Sequence, residues 1–78
     1  MTLPTGNKLR AARALLGLTA GDLAALAKLD ASTISRMEAS GIKPVRGQAA
    51  TVDAVVQALV RKGVEITEDG VRLVKPRR

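Results

Sequence analysis

Apolar side chains recur every three or four positions over most of the chain, and this period predicts α-helices rather than strands. The first helix is predicted to run through KLRAARALL, after a cap at Asn7 and before a stop at Gly17. A second helix follows Thr19, and Asp22 stands three residues later, as in a capping box. The inward-facing apolar residues of this second helix are predicted to be Leu23, Leu26 and Ala27.

Two more helices follow the same period. The third occupies residues 31–39, after a short AKLD turn in which Asp30 is the expected cap, and Pro44 prevents it from resuming early. The fourth occupies roughly residues 48–62 and ends at Gly63. It carries an apolar stripe wide enough to pack on more than one neighbour: Ala49, Val52, Val55, Val56, Leu59 and Val60.

The last segment changes to a period of two. VEIT and VRLV flank EDG, which predicts a β-hairpin with Val64, Ile66, Val71 and Leu73 on one face. A lone hairpin is marginal in water, so this face must be covered. It could fold back on the fourth helix, or it could pair with the same hairpin of a second subunit. We expect the second arrangement, with those four residues at a dimer interface.

These elements predict a mainly α fold, a compact four-helix domain with a C-terminal β-hairpin. At 78 residues the chain is expected to form one small domain. Its expected parts are a flexible leader at 1–6, the helical domain at 7–62, the hairpin at 63–74 and a basic tail at 75–78.

The composition excludes several kinds of site. Because Cys and His are absent, the chain has no thiolate and lacks the commonest general base and metal ligand. We therefore expect no enzyme, no metal and no cofactor, and Asp22 and Asp30 serve better as helix caps than as a catalytic pair. Phe, Trp and Tyr are also absent, which argues against single-stranded nucleic acid, since such binding relies on base stacking.

The charge points to an anionic partner. Thirteen Lys and Arg residues against seven Asp and Glu residues give a net charge of +6, and nucleic acid is the first candidate for so basic a small domain. No apolar run is long enough to cross a bilayer. We therefore expect a cytoplasmic protein with no membrane partner and no small-molecule ligand.

The third helix has an unusual outer face. On a helical wheel Ile34 and Met37 point inward, and Glu38 lies at the edge of that apolar side. The opposite side carries Ala31, Ser32, Ser35, Arg36 and Ala39. Short side chains would let the helix axis approach base edges in the major groove, and one Arg could bind a guanine edge through two hydrogen bonds.

Residues 7–62 resemble the Cro and lambda-repressor type of helix-turn-helix protein, also called the XRE family. The resemblance rests on LRAARALLGLT, on DLAALAKLD and above all on STISRMEASGIKP. It implies that helices two and three, residues 20–39, form the DNA-reading unit of a DNA-binding domain.

The resemblance also implies roles for individual residues. In that family, positions equivalent to Arg13 and Glu38 form a partly buried ion pair that would orient the reading helix. The base-reading positions fall on Ala31, Ser32, Ser35 and Arg36. The phosphate-contacting positions fall on Thr19, Ala20, Thr33, Lys43 and Arg46.

Two positions depart from the family pattern. The family usually has Gln at the position of Ala20, and an Ala side chain cannot donate to a phosphate. It usually has Gly at the position of Lys28, where the backbone often takes a left-handed conformation. A Lys there would cost about 1 kcal/mol.

The leading hypothesis is a sequence-specific regulator of double-stranded DNA, a repressor or autoregulator of bacterial or phage origin that joins the nucleoid when bound. We expect a homodimer on a palindromic operator, because proteins of this kind usually read two half-sites. The alternative hypothesis is a protein-interaction module, such as an antiactivator or antitoxin, whose main partner is another protein; a regulatory protein is one candidate for that partner.

Overall fold

The computed structural model describes residues 4–45 and 47–74. The predicted fold class, a mainly α protein with four helices and a C-terminal antiparallel hairpin, is confirmed. Residues 1–3 of the expected leader, Arg46 and the expected basic tail at 75–78 lie outside the described residues. The elements are α1 (Gly6–Leu15), α2 (Ala20–Ala27), α3 (Ala31–Glu38), α4 (Ala49–Arg61), β1 (Val64–Ile66) and β2 (Val71–Leu73).

Helix α1 begins earlier than predicted. Its N-cap is Thr5, whose hydroxyl accepts a hydrogen bond from the Lys8 amide at 3.1 Å, so the prediction of Asn7 as the cap is wrong. Gly6, predicted to belong to the leader, is a buried residue of the first turn. Thr5 is favoured because its backbone also bridges to Pro44, which draws the chain before the helix into an extended conformation.

The turn between α2 and α3 is short and contains a strained residue. Lys28 ends α2 in the left-handed conformation, with φ of 59° and ψ of 47°, and Leu29 and Asp30 complete the turn. Asp30 occupies the predicted N-cap position of α3, but its side chain makes no capping hydrogen bond. The capping box at the start of α2 is present in full. The left-handed residue reverses the chain within three residues, so that α3 packs across α2.

The core lies between the four helices and the hairpin. Small residues such as Ala24 on α2 let the helices approach closely. This close approach leaves little space to fill, and the sequence has no aromatic side chain that could fill a wider one. Leu26, predicted to face inward, is 39% exposed, because α2 buries Leu23 and Ala24 instead. The fully or nearly fully buried apolar residues are Leu9, Ala12, Leu23, Ala24, Ile34, Met37, Val45, Val52, Val55, Ala58, Leu59 and Val64.

The hairpin folds back on its own chain. Val64 pairs with Leu73 and Ile66 pairs with Val71, so the four predicted residues share one face. That face packs against α1 and α4, with Val64 buried at 1% exposure and Leu73 still 57% exposed. The Lys8 ammonium group also donates to two carbonyls of the hairpin turn, each at 2.7 Å. Val64 is therefore inside the core and is not available to a second subunit.

The left-handed Lys28 predicts a stabilising substitution. Lys28→Gly should raise the free energy of unfolding by about 1 kcal/mol, because glycine adopts this conformation without a Cβ clash. Urea denaturation followed by circular dichroism measures the change. Lys62→Gly is the control, since Lys62 ends α4 in the right-handed region, and it should not stabilise. Equal effects of the two substitutions would show that the left-handed conformation of Lys28 does not lower the stability of the domain.

Candidate nucleic-acid interface

Helix α3 has one buried face and one solvent-exposed face. Ile34, Met37 and Glu38 are buried against the other helices. The opposite face is exposed and consists of Ala31, Ser32, Ser35, Arg36 and Ala39. Thr33 is half-buried at the boundary of the two faces. The four predicted base-reading residues are thus brought together on one solvent-facing surface, and Arg36 is its only long side chain.

A buried ion pair joins α3 to α1. Arg13 donates from Nε to Glu38 Oε2 at 2.7 Å and from Nη2 to Glu38 Oε1 at 2.9 Å, while its Nη1 donates to the Leu18 carbonyl at 2.9 Å. The Glu38 side chain is only 4% exposed, and these bonds to it raise the pKa of Arg13 above its ordinary value. Arg10, which the sequence did not single out, adds a second cation 3.6 Å from the same carboxylate.

The start of α2 is a polar, exposed helix end. Thr19 Oγ1 accepts from the Asp22 amide at 3.0 Å, and the Asp22 carboxylate accepts from the Thr19 amide at 2.9 Å. The Thr19 amide is therefore already bonded, while the amides of Ala20 and Gly21 belong to the first turn, where helical partners are missing. A backbone contact to an anion at this end would come from those two amides.

The same capping box has a pH dependence. The hydrogen bonds from Thr19, first that of its backbone amide, lower the pKa of Asp22 below its ordinary value. The capping box therefore contributes stability at a pH above the ordinary aspartate range. It loses that contribution as the pH falls through the lower folded-state pKa.

Hydrogen bonds within the loop after α3, and one to the chain before α1, hold this loop in place. Ser40 Oγ lies 2.9 Å from the Met37 carbonyl and 3.0 Å from the Lys43 carbonyl, and the Val45 amide donates to the Pro4 carbonyl at 2.9 Å. The Lys43 side chain is exposed on this loop. Arg46, the other predicted phosphate contact here, lies outside the described residues.

The sequence analysis did not name the residues that lie beside the exposed face of α3. A groove of about 600 Å³ separates α3 from the start of α4, with Thr33 and Arg36 on one side and Gln48 and Thr51 on the other. Ile42, in the loop after α3, is 84% exposed. Gln48 and Thr51 are polar residues at the start of α4, and this polarity could have indicated an exposed position. The sequence analysis assigned α4 to the core because of its apolar stripe.

A comparison with protein families agrees with this geometry. The family model of the helix-turn-helix domain matches residues 6–68, which run from the start of α1 through α2 and α3 to the hairpin turn. The chain belongs to the helix-turn-helix domain family. Membership indicates a DNA-binding regulator. A comparison with curated proteins gave no significant match.

Among residues 4–45 and 47–74, no helix combines the length and the apolar character that crossing a membrane requires. Over the same residues, no three acidic side chains gather closely enough to hold a metal ion.

The buried ion pair predicts a large energetic asymmetry. Arg13→Met should lower the free energy of unfolding by about 2–3 kcal/mol, because it leaves the Glu38 carboxylate buried with only the more distant Arg10. The double variant Arg13→Met, Glu38→Met should recover part of that loss, since no buried charge remains. Urea denaturation of the three proteins measures both effects.

The exposed pair of Arg72 and Glu65 on the hairpin provides the matched control. Arg72→Met should cost less than about 1 kcal/mol, because both side chains are solvated. If Arg13→Met cost no more than Arg72→Met, the buried pair would not hold α3 in place.

Proposed function

We propose that the protein is a sequence-specific regulator of double-stranded DNA, of the Cro and lambda-repressor type, that reads the major groove with α3. The observation that carries this proposal is the exposed face of that helix. It presents short side chains and one Arg, while the opposite face is buried against the rest of the domain. Such a helix can bring its axis close to base edges without long side chains in the way.

The base-reading roles are assigned to the exposed residues of α3. Arg36 would bind a guanine edge through two guanidinium hydrogen bonds, as Arg does in the most frequent specific contact to bases. Ser32 and Ser35 would donate to or accept from neighbouring bases. Ala31 would contact a thymine methyl group or simply leave room for the approach.

The phosphate-contacting roles surround this face. Lys43 would bind a phosphate from the loop after α3, and the same role is assigned to Arg46. Thr33 lies at the boundary of the exposed face of α3. It would contact a phosphate of the DNA backbone at the edge of the major groove. At the start of α2, the Thr19 hydroxyl and the Ala20 amide would contact another phosphate, since the Ala20 side chain has no donor.

The regulatory outcome proposed is repression, including repression of the protein's own gene. A domain that occupies the major groove at a promoter prevents other proteins from binding the same DNA. This outcome needs no cofactor and no catalytic residue, and it is consistent with a protein that acts inside the cell on chromosomal or phage DNA.

We also propose that two copies bind a palindromic operator. A single reading helix makes few base contacts, and helix-turn-helix dimers increase affinity by reading two half-sites about 34 Å apart. Since Val64 is buried in its own chain, the dimer contact would have to use the part of the hairpin that remains exposed. Leu73 is 57% exposed on that face, with Ile66 and Val71 partly buried beside it.

A second candidate function is a protein-interaction module. Leu26 is 39% exposed at a groove of about 300 Å³ between α2 and α4. The groove is lined by Ala27, Ala50 and Ala54 and also by four polar or charged residues, Lys28, Asp53, Gln57 and Arg61. A partner protein could bind there through an apolar contact with Leu26 and polar contacts with these four residues. The two functions are compatible, since this groove does not include the exposed face of α3.

Substitutions should separate base readers from phosphate contacts. On a duplex that the wild type selects from a random pool, Arg36→Ala should lose most of the preference for that sequence over others, because it removes a base contact. Lys43→Ala should weaken binding to all sequences alike and reduce the slope of log K against log salt by about one unit. Fluorescence anisotropy at several salt concentrations measures both quantities.

Lys62→Ala is the matched control, because Lys62 is an exposed lysine at the opposite end of α4. It should leave the salt slope and the preferred sequence unchanged. An Arg36→Ala variant with unaltered affinity and specificity would overturn the proposed role of α3 and favour the protein-interaction function.

The dimer has its own test. Leu73→Glu should shift the protein toward monomer in light scattering at micromolar concentration, because it places a charge in the exposed part of the hairpin face. Its affinity for a duplex with two half-sites should fall while its affinity for a single half-site is retained. A wild type that is purely monomeric under these conditions, with and without DNA, would contradict the dimer.

A further inference from the structure

Gly6 leaves no room for a side chain between the start of α1 and the end of α3. A Cβ atom at this position would lie 2.5 Å from the Glu38 carbonyl oxygen, 2.7 Å from the Met37 carbonyl oxygen and 2.6 Å from Ser40 Oγ. Two of these three atoms belong to the backbone of the last turn of α3 and cannot move alone. Only glycine therefore allows α1 to begin where it does.

The same junction holds the loop that follows α3. The Asn7 amide donates to the Gly41 carbonyl at 2.9 Å, and the Pro4 carbonyl accepts from the Val45 amide at 2.9 Å. An isolated bridge pairs Thr5 with Pro44 between these two bonds. The chain at the start of α1 thus contacts the loop at both its beginning and its end.

Ser40 connects Gly6 to Lys43. Its hydroxyl lies within hydrogen-bond distance of the carbonyls of Met37 and Lys43, and its own carbonyl accepts from the Lys43 amide at 3.1 Å. A methyl group on Gly6 would displace this hydroxyl or the last turn of α3. Either displacement changes the position of Lys43 relative to Arg36.

We propose that Gly6 is a positioning residue for DNA binding, which sets the Lys43 phosphate contact at the correct distance from the reading face of α3. The inference rests on the proposed function, in which Lys43 binds a phosphate and Arg36 reads a base. Gly6 itself is buried and contacts no DNA. Its effect is transmitted through Ser40 and the last turn of α3.

A purely structural role of Gly6 and a positioning role differ in the number of phosphates that each folded molecule is expected to bind. A residue that only stabilises the domain changes the folded fraction, and it leaves the number of phosphates bound by each folded molecule unchanged. A positioning residue alters that number in the folded protein. The salt slope of DNA binding reports the number directly.

The experiment compares Gly6→Ala, Lys43→Ala and the double variant on the duplex that the wild type selects, below the temperature at which unfolding begins. We expect Gly6→Ala to lower the salt slope by about one unit, as Lys43→Ala does. The double variant should show no further decrease in slope, because the same phosphate contact has already been lost. The preferred sequence should change less than it does in Arg36→Ala, since the Arg36 side chain is still present.

Two controls separate this effect from loss of stability. Thr5→Ala removes the N-cap of the same helix and should lower stability while keeping the wild-type slope. Gly70→Ala places a methyl group in open space at the hairpin turn and should change neither quantity. If Gly6→Ala does not fold, Ser40→Ala provides the test, because it breaks the connection to Lys43 without adding volume. It should show the same lower slope.

The proposal is overturned if folded Gly6→Ala keeps the wild-type salt slope. It is also overturned if the salt slope of the double variant is about two units below the wild-type value, because the two losses would then be independent. It is also overturned if Gly6→Ala fails to fold and Ser40→Ala keeps the wild-type slope. Failure of the proposed function gives a different result, in which Lys43→Ala itself leaves the slope unchanged and no phosphate contact exists to be positioned.

Discussion

The buried carboxylate of Glu38 is the constraint on which the arrangement of α3 depends. A charge with 4% exposure is tolerated only when it is paired, and Arg13 supplies two hydrogen bonds to it from α1. Because both oxygens are engaged, α3 cannot rotate about its axis without breaking a bond. The outward direction of Ser32 and Arg36 follows from this ion pair together with the burial of Ile34 and Met37 on the opposite side.

Close packing of small residues makes that ion pair possible. Without aromatic side chains, the domain fills its interior with aliphatic residues and with Ala at helix contacts. Gly6 brings the start of α1 against the end of α3, and Ala24 lets α2 approach its neighbours. The hydrogen-bond donors of Arg13 reach Glu38 because the two helices are this near.

Much of the fold follows from the sequence pattern, and the exceptions have physical reasons. The faces of α3 and the shared face of the four apolar hairpin residues were predictable, because the apolar period fixes which side chains lie on the same side. The cap of α1 was not, since Thr5 and Asn7 can both cap a helix and the choice depends on the contact of Thr5 with distant Pro44. The exposure of Leu26 likewise depends on how α2 meets α4.

The candidate site was predictable to a similar extent. The residues on the exposed face of α3 could be named because they lie on one short helix, whereas their surroundings come from elsewhere in the chain. Arg10, Gln48 and Thr51 reach the end or the side of α3 only through tertiary packing. No local pattern distinguishes them from ordinary solvent-exposed residues, and the tight contact at Gly6 has no signal in the sequence other than glycine itself.

Chemical-shift mapping by nuclear magnetic resonance tests directly whether α3 contacts DNA, as the protein is titrated with a duplex that it selects from a random pool. We expect the largest changes on residues 31–36 of α3 and on the loop at 40–45, with the hairpin turn little affected. Changes confined to the groove between α2 and α4 or to the hairpin, with α3 unchanged, would contradict this role of α3.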